Sequence, residues 1–208
     1  MLDVRNRQTV VVGGGGVGLR KVQALLDAGA KVTLVSVDRP DEAESLERAG
    51  VTILQTRYEP SMLAGAMLVF AATDDHEVNA RIAADARQAG ALVNSADQPE
   101  DCDFYLPAVV SDGDVVIAIG SGGASPSLAG RLKAKIAAAL PPRVGEFAAL
   151  LAGLREELKS LVSSSPRRMD IMKELSTDEM YQQFLSTGDK PLRARLAELA
   201  AEANKLER

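Results

Sequence analysis

The 208-residue chain contains one cysteine, Cys102, and one histidine, His76. A single thiol excludes an internal disulfide framework and any structural zinc site built on paired cysteines, and it points to a reducing compartment. The histidine lies in DDHEVN at an expected helix start, where such a residue is exposed or capping more often than a metal ligand. No role is assigned to it. No run approaches the roughly 18 consecutive apolar residues of a membrane span, and the opening MLDVRNRQ lacks the apolar core of a signal peptide. The expectation is a cytoplasmic protein without a membrane partner. A sustained basic stretch is also missing: 24 Lys and Arg stand against 29 Asp and Glu, for a net charge of -5. That argues against nucleic acid as a partner but leaves room for a small anionic ligand, which needs only a local cluster. Internal repeats and low-complexity segments are absent too.

What the chain does have is 46% apolar and 25% charged residues. Its length accommodates one nucleotide-binding domain of roughly 110 residues and a smaller second unit. Short β-branched runs at Thr9 to Val12, Val32 to Val37, Val51 to Leu54, Met67 to Ala71 and Ala91 to Asn94 alternate with helical patterns. In the first helical pattern Val22, Leu25 and Leu26 share a face, and in another Val78, Ile82 and Ala86 do. Five strands with interposed helices predict an α/β fold, a Rossmann-type doubly wound parallel sheet. After Asp97 the pattern changes: Phe104 to Val110 and Val115 to Ile119, joined by SDGD, read as a hairpin outside that sheet. Ser125-Pro126 opens a helix that Pro141-Pro142 ends. From Val144 the chain reads as helical, with Phe147, Leu150, Leu151, Leu154, Leu158 and Leu161 on one face. Breaks are expected at Ser163 to Pro166 and Thr187 to Pro191, before a last helix carrying Leu192, Leu196 and Leu199. The boundaries that follow are 1–110, 111–143 and 144–208, a small α+β region preceding the C-terminal helices.

VVVGGGGVG puts Gly13, Gly15 and Gly18 in G-x-G-x-x-G register, directly after a strand and before a helix, the context the dinucleotide fingerprint requires. Gly13 permits the tight turn, Gly15 lets backbone approach a pyrophosphate, and Gly18 lets helix and strand pack closely. The second strand ends late in Ser36, Val37 and Asp38, so Asp38 is either a ribose ligand or a solvated loop aspartate. Arg39 follows at once, and NAD is preferred to NADP on balance. FAATDD sets Thr73 and Asp74 at the carboxyl edge of the sheet, as cofactor contacts or as N-caps of the next helix. Asp97 in VNSAD is a carboxylate placed to accept a proton, or a turn aspartate before Gln98-Pro99. Cys102 is read as a small, partly buried residue, and Glu100, Asp101 and Asp103 as solvated, so no metal site is assigned.

The blocks VVGGGGVGLRKV, LLDAGAKVTLVS, FAATDDHEVN, VN-x-x-D, CDFYLPAVV and SGGASPSLA, in that order, resemble the precorrin-2 dehydrogenases, including the N-terminal part of multifunctional siroheme synthases. The resemblance covers roughly residues 2 to 145. It implies oxidation of precorrin-2 to sirohydrochlorin with NAD as hydride acceptor, in a homodimer formed through the region at 111–143. It further implies catalysis by Asp97, a tetrapyrrole site at Ser121, Gly122 and Gly123, and dinucleotide contacts at Gly16, Val17, Val37 and Asp38. Ferrous iron is a candidate co-substrate, because some relatives also insert it. Two departures are visible: Gly18 stands where alanine is common, and the Asp97 block reads NSAD in place of NVVD. A reading of a different class is a non-catalytic NAD-sensing regulatory module, which shares the fingerprint but has no need of the FYLPAVV and SGGASP blocks.

Overall fold

The first five β-branched runs pair side by side in one parallel sheet, in the order β3-β2-β1-β4-β5. The computed structural model describes residues 2–122 and 124–205, and these divide into two units, Met1–Leu106 and Pro107–Arg208. The strands of the first unit are β1 (Gln8–Val12), β2 (Lys31–Ser36), β3 (Thr52–Gln55), β4 (Leu68–Ala71) and β5 (Leu92–Ser95). The helices are α1 (Gly16–Asp27), α2 (Ala43–Arg48) and α3 (His76–Gln88). A parallel sheet covered on both faces needs strands that are apolar throughout, and β4, LVFA, is buried along its whole length. The alternation of side chains then builds two cores. Val10, Val12, Val69 and Val93 pack with Ile82, Ala83 and Ala86 of α3. Val11, Leu34 and Phe70 pack with Val22 and Leu25 of α1 on the opposite face. The order reverses between β1 and β4, and ligands of open α/β sheets bind at the carboxyl ends of strands at such a point.

In the second unit, β6 (Ala108–Asp112) and β7 (Val115–Ile119) form an antiparallel hairpin. The sequence puts the start of this hairpin at Phe104, four residues too early. Asn94 Nδ2 donates to the Phe104 carbonyl at 2.9 Å, and the Phe104 ring packs edge-on against Phe70 with centroids 5.5 Å apart. Both contacts tie Phe104 to the first unit, and Pro107 has no N–H to offer a ladder. Helix α4 (Pro126–Ala139) starts as expected, with Ser125 Oγ accepting from the Leu128 amide at 3.2 Å.

The C-terminal residues form α5 (Val144–Leu161), α6 (Ser165–Leu175), α7 (Asp178–Thr187) and α8 (Lys190–Lys205). Leu154, Leu158, Leu175, Leu192 and Leu196 are almost wholly removed from solvent at their centre. The expected break at Ser163 to Pro166 is shorter than read, because Pro166 sits inside the first turn of α6, where its missing N–H costs no hydrogen bond. A further break at Ser176-Thr177 escapes the periodicity: Thr177 caps α7 by accepting from the Met180 amide. Among the described residues no single helix is long and apolar enough to cross a membrane.

Candidate active site

At the sheet's reversal point the carboxyl ends of β1, β2 and β4 surround a cleft of about 1050 Å³. The glycine loop forms one wall, and a Cβ would collide at three of its glycines, Gly13, Gly14 and Gly18. Gly13 has φ +113°, and a Cβ there would collide with the Ala72 carbonyl oxygen and lie 2.9 Å from the Thr73 amide nitrogen. Gly14, which the fingerprint leaves open, lies so close to β2 that a Cβ would strike Ser36 Oγ. Gly15 differs: a Cβ would meet nothing within 4 Å, so its surroundings are open. Gly18 is buried, and a Cβ on it would run into the Gly13 carbonyl, which is the close helix-to-strand packing the motif calls for.

The start of α1 fits a dinucleotide. No side chain caps it, and its first turn, Gly16 to Gly18, contains no acidic residue. Amides and partial positive charge therefore face outward beside open space at Gly15, the arrangement that takes a pyrophosphate. Helix α3 shows the contrast, since Asp75 caps it by accepting from the Glu77 and Val78 amides at 2.9 and 3.2 Å. The cap thus falls on Asp75 and not on Thr73 or Asp74. Both of these line the cleft, as do Val37 and Asp38 just beyond β2. Val37 is 61% exposed, a large apolar side chain facing solvent at the mouth. Arg39 turns to Glu47, with its guanidinium 2.7 Å from the carboxylate. Val17, in the first turn of α1, is 39% exposed and lies outside the cleft lining.

Asp97 follows β5 and joins the cleft through hydrogen bonds. Asn79 of α3, fully buried, accepts from the Thr73 amide at 3.1 Å and from Thr73 Oγ1 at 2.7 Å. Its amide nitrogen donates to the Thr73 carbonyl and to Asp97 Oδ1, both at 3.0 Å. Ser95 Oγ donates to the same Asp97 oxygen at 2.6 Å. The other oxygen, Oδ2, meets Nδ1 of His76. Burial alone would raise the Asp97 pKa, but the bonds from Ser95, His76 and Asn79 outweigh it and hold the carboxyl below its ordinary value. Sequence reasoning gave Asn79 and His76 no part here. Both sit in the DDHEVN block, which was the available signal.

Cys102 fastens the turn that carries Asp97. Its sulfur accepts from the Ser95 amide at 3.2 Å and lies 3.3 and 3.4 Å from the Ser95 and Gln98 carbonyls. Asp103 is bound to Arg87 Nε at 2.9 Å and to the Val93 amide at 3.0 Å. Among the described residues no group of three or more His, Cys, Asp or Glu side chains could hold a metal ion. In the second unit, Ser121 Oγ donates to the Ser125 carbonyl and accepts from the Ser125 amide, both at 3.1 Å. It thereby shapes the turn before α4. Gly122 takes φ +60° in that turn, and Gly123 lies outside the described residues.

Comparison with known proteins extends the geometry. The family described as "Putative NAD(P)-binding" matches residues 1–108. Siroheme synthase 1 of Aeromonas salmonicida is 38% identical over 194 residues, covering 93% of this chain and 42% of that protein. Siroheme synthase of Methylobacillus flagellatus is 37% identical over 193 residues, covering 92% of this chain and 41% of that protein. The chain thus spans about two-fifths of the length of these curated relatives. Among solved structures, "SirC, precorrin-2 dehydrogenase" superposes with a TM-score of 0.75 at 25% identity, covering 99% of this chain and 98% of that one. None of these relatives supports the regulatory-module reading.

Proposed function

The chain belongs to the NAD(P)-binding family matched over residues 1–108, and from that premise we propose that it oxidises precorrin-2 to sirohydrochlorin in siroheme biosynthesis, with NAD taking the hydride. The observation that carries the reading is the match to a precorrin-2 dehydrogenase over 99% of this chain and 98% of that one. The siroheme synthases point to the same chemistry along 93% of the chain.

When bound, oxidised nicotinamide supplies a two-electron sink. The protein's own part is to bind, orient and manage a proton. Gly13, Gly15, Gly16, Val17 and Gly18 hold the pyrophosphate against the uncapped start of α1. Asp38, which lines the cleft just beyond β2, takes the ribose hydroxyls, and Val37 borders the adenosine. Thr73 and Asp74 border the cleft where β4 ends. NAD is favoured over NADP because a 2′-phosphate would meet the Asp38 carboxylate, while Arg39 is held by Glu47. As hydride leaves the macrocycle, Asp97 governs removal of the accompanying proton. The acetate and propionate groups of precorrin-2 are received at Ser121, Gly122 and Gly123, ahead of the N-terminus of α4. A cytoplasmic homodimer formed through the region at 111–143, with ferrous iron as a further co-substrate, completes the proposal.

The test is anaerobic incubation of the purified chain with precorrin-2 and NAD, following sirohydrochlorin and NADH together, with ferrous ion added afterwards. Stoichiometric appearance of both products is expected, and Asp97→Asn should lose turnover while still binding NADH. Intact NADH binding with no turnover would reject the dehydrogenase. A metal-dependent spectral change above the protein-free control would add chelatase activity.

A further inference from the structure

His76 is the only histidine in the chain, and α3 begins with it, directly after the capping Asp75. Its side chain is 71% exposed, whereas that of Asp97 is 18% exposed. The two residues are 21 positions apart and meet only because α3 and the turn after β5 converge at the sheet edge. The bonding of Asp97 decides what such a pair can do. Oδ1 already accepts from Ser95 at 2.6 Å and Asn79 at 3.0 Å, and Oδ2 faces His76. Both carboxylate oxygens are therefore engaged, and the carboxyl is held below its ordinary pKa. A carboxylate in that state is a weak proton acceptor and a strong orienting group. An imidazole bound to it through Nδ1 is fixed in one tautomer, leaving Nε2 as the open nitrogen. In this chain that nitrogen belongs to the exposed partner.

We infer that His76 is the group that receives the proton released in the oxidation, with Asp97 as the residue that positions it. The inference rests on the dehydrogenase reading above and reassigns the base within it. In the balanced step one C–H bond of the macrocycle breaks with its electron pair, and this hydride goes to NAD. A proton leaves the macrocycle to His76 Nε2, and the resulting imidazolium, paired with the Asp97 carboxylate, gives a proton to water. The products are the macrocycle two hydrogens poorer, NADH and one proton, and both residues return to their starting states. Ser95 and Asn79 keep the Asp97 carboxylate facing the imidazole, and Asp75 fixes the turn on which His76 sits.

The decisive variant is His76→Ala, compared with wild type, Asp97→Asn and the double variant. For His76→Ala, kcat with precorrin-2 and NAD should fall about 100-fold, the usual range for loss of a general base. NADH affinity should be unchanged, and added imidazole should restore turnover in proportion to its concentration. The double variant should be no slower than the slower single one, because residues acting as a unit are not additive. A second readout needs no turnover: with ¹⁵N-labelled histidine the lone imidazole gives one pair of ring nitrogens. Wild type should show the proton on Nδ1, and Asp97→Asn should shift it towards Nε2. Turnover of His76→Ala within about threefold of wild type, or a loss that imidazole does not rescue, would overturn the assignment and leave the dehydrogenase reading standing. An inactive wild type that still binds NADH would reject both.

Discussion

Replacing Asn79 with leucine tests the hydrogen-bonded link between the cleft and Asp97 most directly. Leucine has nearly the same volume, so α3 keeps its packing, but it can make none of the four bonds that Asn79 makes to Thr73 and Asp97. The Thr73 hydroxyl can turn to water. The Thr73 amide and carbonyl cannot easily do so, and Asp97 Oδ1 loses one of its two donors. Leaving a buried neutral group without a partner costs about 1–3 kcal/mol, and more when the group is charged. The N-terminal unit should therefore lose about 3–5 kcal/mol. At an m-value of about 2 kcal/mol/M that is a fall of roughly 1.5–2.5 M in the urea midpoint. The chain has no tryptophan, so far-UV circular dichroism is the suitable probe. Asn79→Asp is the informative companion, since it sets a second carboxylate against that of Asp97. Its deficit should shrink as pH falls, because protonating either group relieves the repulsion. A loss below about 1 kcal/mol for the leucine variant would mean that the network is not a structural element, and the reasoning would fail.

The glycine loop makes a paired prediction. Gly13→Ala should destabilise the fold by about 2–4 kcal/mol, through a left-handed φ and a collision with the Ala72 carbonyl just beyond β4. Gly15→Ala, at φ -74° with open space around it, should fold normally yet lose NADH binding at least about tenfold, as read by nucleotide fluorescence. Asp38→Ala should weaken NADH by about tenfold and narrow its advantage over NADPH; unchanged selectivity would detach Asp38 from the ribose. For Asp103, burial raises the pKa but the Val93 amide and Arg87 outweigh it, and the folded value is lowered. Its stabilisation is therefore present above the usual carboxylate range and lost as pH falls through the lowered value. Asp103→Asn should cost about 1–3 kcal/mol at neutral pH, and the gap to wild type should close as acid protonates the native carboxylate. A gap that persists in acid would show that charge is not the cause.

The sheet was legible because a parallel strand buried on both faces must be apolar throughout, and each of the five runs stops within one residue of its observed end. The glycine loop was legible because motif and context coincide. Less could be read where one residue's environment is set by a distant one. Asn79 sits at the fourth position of α3, where asparagine ordinarily faces water; it is buried because Thr73 and Asp97, the latter 18 residues on, accept from it. In the polar run Thr73 to His76, which residue caps α3 depends on where the chain leaves extended geometry, and Asp75, with φ -108° and ψ 112°, is the last extended residue before the helix. Phe104 reads as the first residue of a strand by hydropathy, and the edge-on contact with Phe70 and the bond from Asn94 to its carbonyl assign it to the first unit. Gly145 gave no signal either, although its amide donates to Asp112 Oδ2 at 2.8 Å and a Cβ there would strike the Asp112 carbonyl.

The uncapped start of α1 has a thermodynamic consequence. Asp75 supplies the cap of α3 from within the chain, whereas α1 relies on whatever anion occupies the cleft, so binding and stability are linked there. Dinucleotide at 100 times its dissociation constant adds about 2.7 kcal/mol to the folded state, and the gain falls on the unit that binds it. Heating the protein with increasing NADH should raise the unfolding temperature of Met1–Leu106 and leave the C-terminal helices where they were. The cofactor would then serve as a removable part of the fold.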